Sequence, residues 1–372
     1  MKRIFFLIPA VFTLILLVNC PTPSDPATMT AADPAAEEDA GFVTASDPGD
    51  TGVLTLTESA DTITMIYANN QSSITFPTET WDTGQATLTR KFFLSETETA
   101  NAVMAAVLQW AVENNRFSST VTDHNGLDIN TVKHGGQQLL DLDDPDCRVD
   151  YDGSGTFSAE SGYEDHPVSN VTWYGAVMFC NWMTEMRDGN TDNVVYTGLD
   201  TTWDDDETTE NDDRNGYRLP YSYEWEYAAR YRGSDPTNTV GAFTDPYYTI
   251  GNAASGATTF YQDNANGSGE PGKTANDTVA VYGSYWDAGS WVSTGASDEA
   301  AVKSRGANAL GLYDMSGNLW EWCFDKPGSS WRNSQGGSWY NSAADLRVGA
   351  GGAGSNPETE SGIKGFRIYR TQ

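Results

Sequence analysis

A change of period near residue 95 narrows the folds open to this chain. Residues 53 to 95 alternate apolar and polar side chains, as in "VLTLT", "TITMIY" and "ATLTRKFFL". Such alternation places every second side chain on one face of a strand, with turn residues between strands. The next stretch, "SETETANAVMAAVLQWAVENN", repeats at helical spacing instead. Val103, Ala106, Val107, Trp110 and Ala111 share one helical face, and Thr99 is placed to cap it. A second helix is predicted in "VTWYGAVMFCNWMTEM", capped by Thr172, with Ala176, Phe179, Cys180 and Met183 at helical spacing. A third follows Pro220 in "RLPYSYEWEYAARY", where a proline just ahead of the first turn costs no intrahelical hydrogen bond. The 36 glycines imply many turns, and 12 Trp, 18 Tyr and 14 Phe supply material for a large core.

The N-terminus reads as an address rather than as fold. Lys2 and Arg3 precede an apolar run, Ile4 to Val18, that is too short to span a bilayer. The run ends in Leu17-Val18-Asn19-Cys20. This resembles a bacterial lipoprotein signal: residues 1–19 are removed and Cys20 is acylated. Asn19 departs from the small residue usual before that Cys, and plain secretion is the alternative. Either way the mature protein is expected outside the cytoplasm, and Cys20 would hold it to the outer membrane or cell surface by lipid. Residues 20–52, rich in Pro, Ala, Thr, Asp and Glu, predict a flexible tether to a domain spanning 53–372.

Charge excludes one class of partner. Fifty-two acids against 21 bases give a formal charge of -31, which repels phosphate backbones, so no nucleic-acid partner is expected. Residues 200–214, "DTTWDDDETTENDDR", predict a solvated acidic loop. Asp150 to Ser161 has the spacing of the first half of an EF-hand, but Ser161 stands where a bidentate Glu is needed, so an acidic turn is favoured over calcium. Beyond Cys20 there are Cys147, Cys180 and Cys323, an odd number from which no disulfide pair can be chosen. Cys180 falls on a buried helical face, as a small hydrophobe rather than a reactive thiol. The three histidines, His124, His134 and His166, form no HxxH or HExxH pair.

Five ordered segments carry a resemblance: "HPVSNVTWYGAVMFCNW", "YRLPYSYEWEYAAR", "GLYDMSGNLWEWCFD", "GGSW" and "GFR". Together they resemble the formylglycine-generating enzyme, or sulfatase-modifying-factor, family over roughly residues 75 to 372. The resemblance implies an α+β, C-type-lectin-like fold: a twisted antiparallel sheet core, two main helices and long loops. Trp320 and Trp322, two apart, would share a strand face and fill core. Gly336 and Gly337 would allow positive φ or close approach, and Arg218 and Arg367 read as buried forks. His166, before Pro167, matches a family position and is expected to be packed rather than catalytic. The family holds calcium at "DMSGNLWE", which carries over to Asp314, Gly317, Leu319 and Glu321. These are hard oxygen donors suited to Ca²⁺.

One departure bears on function. The family's oxidases place two copper-binding cysteines just after "GGS"; Asn341 and Leu346 stand at those positions here. Neither an amide nor an alkyl chain supplies a thiolate, so no copper and no such oxidation are expected. The family also includes proteins whose C-terminal segment is diversified by a retroelement that mutates adenines. Residues 340 to 345 and 349 to 356 are all reachable from adenine-rich Asn codons, while "GGSW", "LRV" and "GFR" frame them. The resulting expectation is a lipid-anchored, non-enzymatic surface protein that displays a ligand site at residues 340–356. Its candidate contacts are Trp339, Tyr340, Asn341, Ser342, Ala344, Asp345, Gly349, Gly351, Gly352, Gly354, Ser355 and Asn356. Tyr340 is the one aromatic anchor in the stretch, which predicts a shallow patch. The partner would be an extracellular, host or bacterial surface ligand. A fixed ligand, or an enzyme with altered chemistry, is the alternative.

Overall fold

The computed structural model describes residues 47–55, 62–116, 130–199, 208–211, 213–260, 273–287, 289–328, 330–352 and 354–372. The signal segment 1–19, Cys20, most of the tether 20–52, His124 and much of the acidic loop 200–214 lie outside the described residues.

The expected change of period is realised. A five-stranded antiparallel sheet runs in the order Thr51–Thr55, Thr62–Asn69, Phe92–Ser95, Tyr369–Thr371, Tyr217–Arg218. The C-terminal strand thus closes against the strand at residue 92. Helix α1 (Asn101–Glu113) and helix α2 (Trp173–Asp188) pack with this sheet around one large apolar cluster. Val103, Val107, Trp110 and Ala111 are buried, as the pattern required. The α1 cap differs from expectation. Ala100 is the N-cap and makes no side-chain cap bond. Thr99 instead pairs through its main chain, donating N–H to Phe366 O at 2.9 Å and accepting from Val168 N at 2.8 Å. Tertiary pairing has taken the residue that local chemistry marked as a cap.

Thr172 does cap α2, its hydroxyl accepting from Gly175 N at 3.0 Å. Gly175 permits the close approach of this helix to its neighbours, since a Cβ there would stand 2.0 Å from Leu139 O. Cys180 is fully buried in this helix, and burial pushes its thiol up. Cys147, Cys180 and Cys323 are free. Asp150 to Ser161 forms a hairpin of Val149–Tyr151 with Phe157–Ala159. Asp152 caps its turn, accepting from Ser154 N and Thr156 N.

Helix α3 (Ser222–Arg230) begins where Pro220 placed it, with Glu224 accepting from Tyr221 N at 2.9 Å. Arg218 meets Glu224 as a buried fork at 2.7 and 2.8 Å. A second apolar cluster surrounds α3, and a small third one joins Ala254, Ala257, Val279 and Tyr282 to Ala343 and Leu346.

Candidate functional site

The stretch between "GGSW" and "GFR" is an excursion with both feet on one strand. Trp320–Trp322 pairs antiparallel with Ser334–Gln335 and parallel with Lys364–Gly365. The chain therefore leaves one side of that strand and returns to the other. Trp322 and Trp320 are both buried, Trp322 donating its indole N–H to Val171 O at 3.0 Å. Gly336 and Gly337 turn the chain outward with φ of 102° and 81°. A Cβ on Gly337 would meet Asp345 O at 2.9 Å.

Beneath the feet lies a buried ion pair. Arg367 donates from Nε to Glu321 Oε2 at 2.7 Å and from Nη2 to Oε1 at 2.6 Å, and both side chains are excluded from solvent. Trp225 Nε1 adds a third donor to Glu321 at 2.7 Å. A buried charge is tolerated only when its partners are complete, and these are.

This bears on calcium at Asp314, Gly317, Leu319 and Glu321. Glu321 is already neutralised by Arg367. Asp314 takes Lys303 N–H on Oδ2 at 2.9 Å, while its buried Oδ1 has no hydrogen-bond partner. Burial pushes the Asp314 carboxyl up to about 6. The donor set fits an ion in part: one carboxylate oxygen lacks a partner, and the other carboxylate is shared with an arginine. Among the described residues no three His, Cys, Asp or Glu side chains are grouped to hold a metal ion.

Within the excursion the candidate residues divide. Tyr340 is 70% exposed, and Gly351 and Asn356 are exposed too. Ala344 is half-exposed, and a Cβ on Gly351 would meet nothing within 4 Å. Three candidates are tied to or packed against the frame. Asn341 Oδ1 accepts from Trp320 Nε1 at 2.7 Å and from Ser338 Oγ at 2.5 Å, so its amide ties the loop to the strand below. A Cβ on Gly349 would stand 2.4 Å from Arg230 Nη2 and from the Glu79 main chain. A Cβ on Gly352 would stand 2.3 Å from Ser334 O. Ala343, inside the stretch read as variable, is fully buried in the third cluster with Leu346. Ser342 and Asp345 close a turn on each other, Asp345 Oδ2 accepting from Ser342 N at 3.1 Å and Oγ at 2.9 Å. Trp339 is half-buried, its indole donating to Gly362 O at 3.3 Å. The far end is held by Ser355, whose main chain pairs with Arg332 and whose hydroxyl takes the buried Lys364 ammonium.

The sequence reading missed what surrounds the segment. The exposed large hydrophobic residues among those described are Trp81, Trp291, Trp331 and Tyr340. Each belongs to the segment or to a stretch touching it. Trp81 sits on a turn whose Thr80 hydroxyl donates to Gly349 O at 2.9 Å. That turn is seated on buried Arg230, which pairs with Asp82 at 2.6 Å and donates to Glu79 O at 2.7 Å. Trp331 lines a groove of about 440 Å³ with Pro327, Gly328, Ser330 and Gly354. Trp291 belongs to the hairpin Ser284–Asp287/Ser290–Ser293, whose Ser284 bridges Ser342. Tyr285 packs that hairpin on the third cluster. The two-residue period then turns Trp286 and Trp291 to the other face, where they meet edge to face at 5.3 Å. No signal in the sequence links residues 81, 291 and 331; only the tertiary pairing does.

Comparisons with known proteins bear on the family and the fold. The family profile described as "Sulfatase-modifying factor enzyme 1-like domain" matches residues 65–372. The chain is similar to "Chaperone protein LppX" of Paenibacillus barcinonensis, 30% identical over 229 residues, covering 56% of this chain and 71% of that protein. It is similar to "Serine/threonine-protein kinase pkn1" of Chlamydia caviae at 25% identity over 236 residues, 58% of this chain but only 26% of the kinase. In structure it is similar to Treponema denticola variable protein 1, with a TM-score of 0.51 at 19% identity, covering 86% of this chain and 99% of that one. At that identity the likeness shows the C-type-lectin-like fold alone.

Proposed function

The chain belongs to the sulfatase-modifying factor family, and from that premise we propose that it is a ligand-display protein rather than an oxidase. The observation that carries this reading is the two-footed excursion. A 340–356 segment pinned on both sides of Trp320–Trp322 offers solvent-facing side chains on a backbone that cannot drift. Tyr340, Gly351 and Asn356 are exposed, and a Cβ on Gly351 would meet nothing within 4 Å, so changes at such positions cost little stability. Diversification by a retroelement is part of the proposal, resting on the residue content of 340–345 and 349–356. Leu346 is fully buried and Asn341 is spent on Trp320, so neither oxidase-cysteine position offers a nucleophile here. Because the family is named for an enzyme, altered chemistry remains the second reading.

Export and lipid anchoring at Cys20 are part of the proposal, resting on the N-terminal signal pattern. So is a structural Ca²⁺ at Asp314, Gly317, Leu319 and Glu321; Asp314 Oδ1 supports it, and Arg367 at Glu321 makes it a weak one.

An array of glycans and surface proteins probed with the wild-type chain and with a Tyr340→Ala, Gly351→Asp double variant tests the display reading. Binding that changes between the two supports it. Binding indifferent to both changes refutes it. Formylglycine formed in a Cys-containing sulfatase peptide with added copper would establish the enzyme instead.

A further inference from the structure

We propose that the partner displayed to residues 340–356 is a cationic polypeptide surface, held by Arg and Lys side chains that stack on the rim formed by Trp81, Trp291, Trp331 and Tyr340. The inference rests on the display reading and adds the chemical class of partner.

Two independent observations meet here. The first is where the aromatic rings stand. Soluble proteins bury most of their large aromatic side chains, yet the exposed ones described here all adjoin one segment. Residues 340–356 are mostly Gly, Ala, Ser and Asn, small side chains that contribute little contact of their own. Affinity must then come from the rim, since aromatic anchors dominate most interfaces.

The second observation is charge. In the stretches 79–82, 284–293, 327–331 and 340–356 the acids are Glu79, Asp82, Asp287 and Asp345 and the base is Arg347; Lys326 and Arg332 flank the third stretch, and Lys364 is bonded to Ser355. Asp82 is balanced by Arg230, and Arg347 folds back to Ala344 O at 2.6 Å. The whole chain carries -31. A ring face attracts a cation through its quadrupole, and the surrounding negative field raises cation concentration before contact. An anionic partner gains the first attraction from neither source and is repelled by the second. A neutral sugar can stack on the rings but receives no steering.

The test uses the full chain and three probes: nona-arginine, nona-glutamate and maltoheptaose. Calorimetry is run at about 50 and 300 mM salt, spanning strong and weak screening. Nona-arginine is expected to bind, roughly tenfold more weakly at the higher salt, and nona-glutamate is expected not to bind. Trp291→Ala and Tyr340→Ala are each expected to weaken nona-arginine about three- to tenfold, while Trp291→Phe, which keeps a ring, retains most of the affinity. Melting curves identify any variant that has lost its fold, and the Phe variant then decides. No binding of nona-arginine overturns the proposal. Binding that ignores the loss of both rings does so as well, because charge alone would account for it. Maltoheptaose bound in place of nona-arginine, with sensitivity to Tyr340, overturns the cationic partner and leaves the display reading standing.

Discussion

Beneath residues 340–356, Arg367 and Glu321 face each other without solvent; at the surface, Tyr340 stands largely in water. The two regions are only a few residues apart along the strand pairing, but they obey different rules. Below, each polar atom of the pair has a fixed partner, so a single change leaves a charge stranded in low dielectric. Above, an exposed side chain touches little, so a change there should leave the fold intact. The same contrast recurs inside the segment. Gly351 looks into open space, while its neighbour Gly352 lies against Ser334 O. Bland composition therefore hides two populations: residues that are small because nothing is needed, and residues that are small because nothing else fits.

The sharpest way to break this contrast is to remove one half of the pair below. Arg367→Met strands Glu321 and should cost about 3–5 kcal/mol in urea unfolding, with the double variant Arg367→Met, Glu321→Leu recovering part of it. A loss under about 1 kcal/mol would mean that the frame does not depend on the pair. Next in size come the glycines. Gly349→Ala and Gly352→Ala should each cost about 1–3 kcal/mol by overpacking, against less than about 0.5 for Gly351→Ala. Equal costs at all three would erase the distinction.

A smaller effect is expected from pH. Burial, together with Asp298, pushes Glu299 up to about 8 from 4.5, while burial holds His166, 3.6 Å away, below its ordinary value. A raised carboxyl pKa means that the folded state binds a proton which the unfolded state has released. Stability from this site is therefore present at pH 4.5 and lost as pH rises towards 8. His166 works in the opposite sense below 6.5, so the decline should be cleanest between 6.5 and 8. Denaturant midpoints across that window should fall more steeply for the wild type than for Glu299→Gln, since buried Glu98, also raised, contributes in the same sense. Calcium should do least. Ca²⁺ added to chelator-stripped protein should stabilise it by about 1 kcal/mol or less, because Arg367 already serves Glu321. A shift of several kcal/mol would place the ion, rather than the arginine, at the centre of the frame.

Much of this frame was legible in the sequence, for reasons that can be named. Thr172 capped its helix, Arg218 and Arg367 proved to be buried forks, and Gly336 and Gly337 adopted positive φ, because each is dictated by chemistry within a few residues or by a strong motif. Thr99 misled because a distant strand end competed for its main chain. Asn341 looked like a surface amide until its bond to Trp320 placed it over the strand. The rim was invisible for the same reason: an exposed Trp at residue 81 acquires meaning only when Thr80 is seen to touch Gly349.

The most direct measurement is saturation of every position from 340 to 356, with each variant scored for protease-resistant folding on a display platform. Tyr340, Ala344, Gly351 and Asn356 should accept most residue types, while Asn341, Ala343, Gly349 and Gly352 should reject nearly all. Uniform rejection across the segment, or uniform tolerance that includes the packed positions, would contradict a stiff frame carrying a replaceable surface.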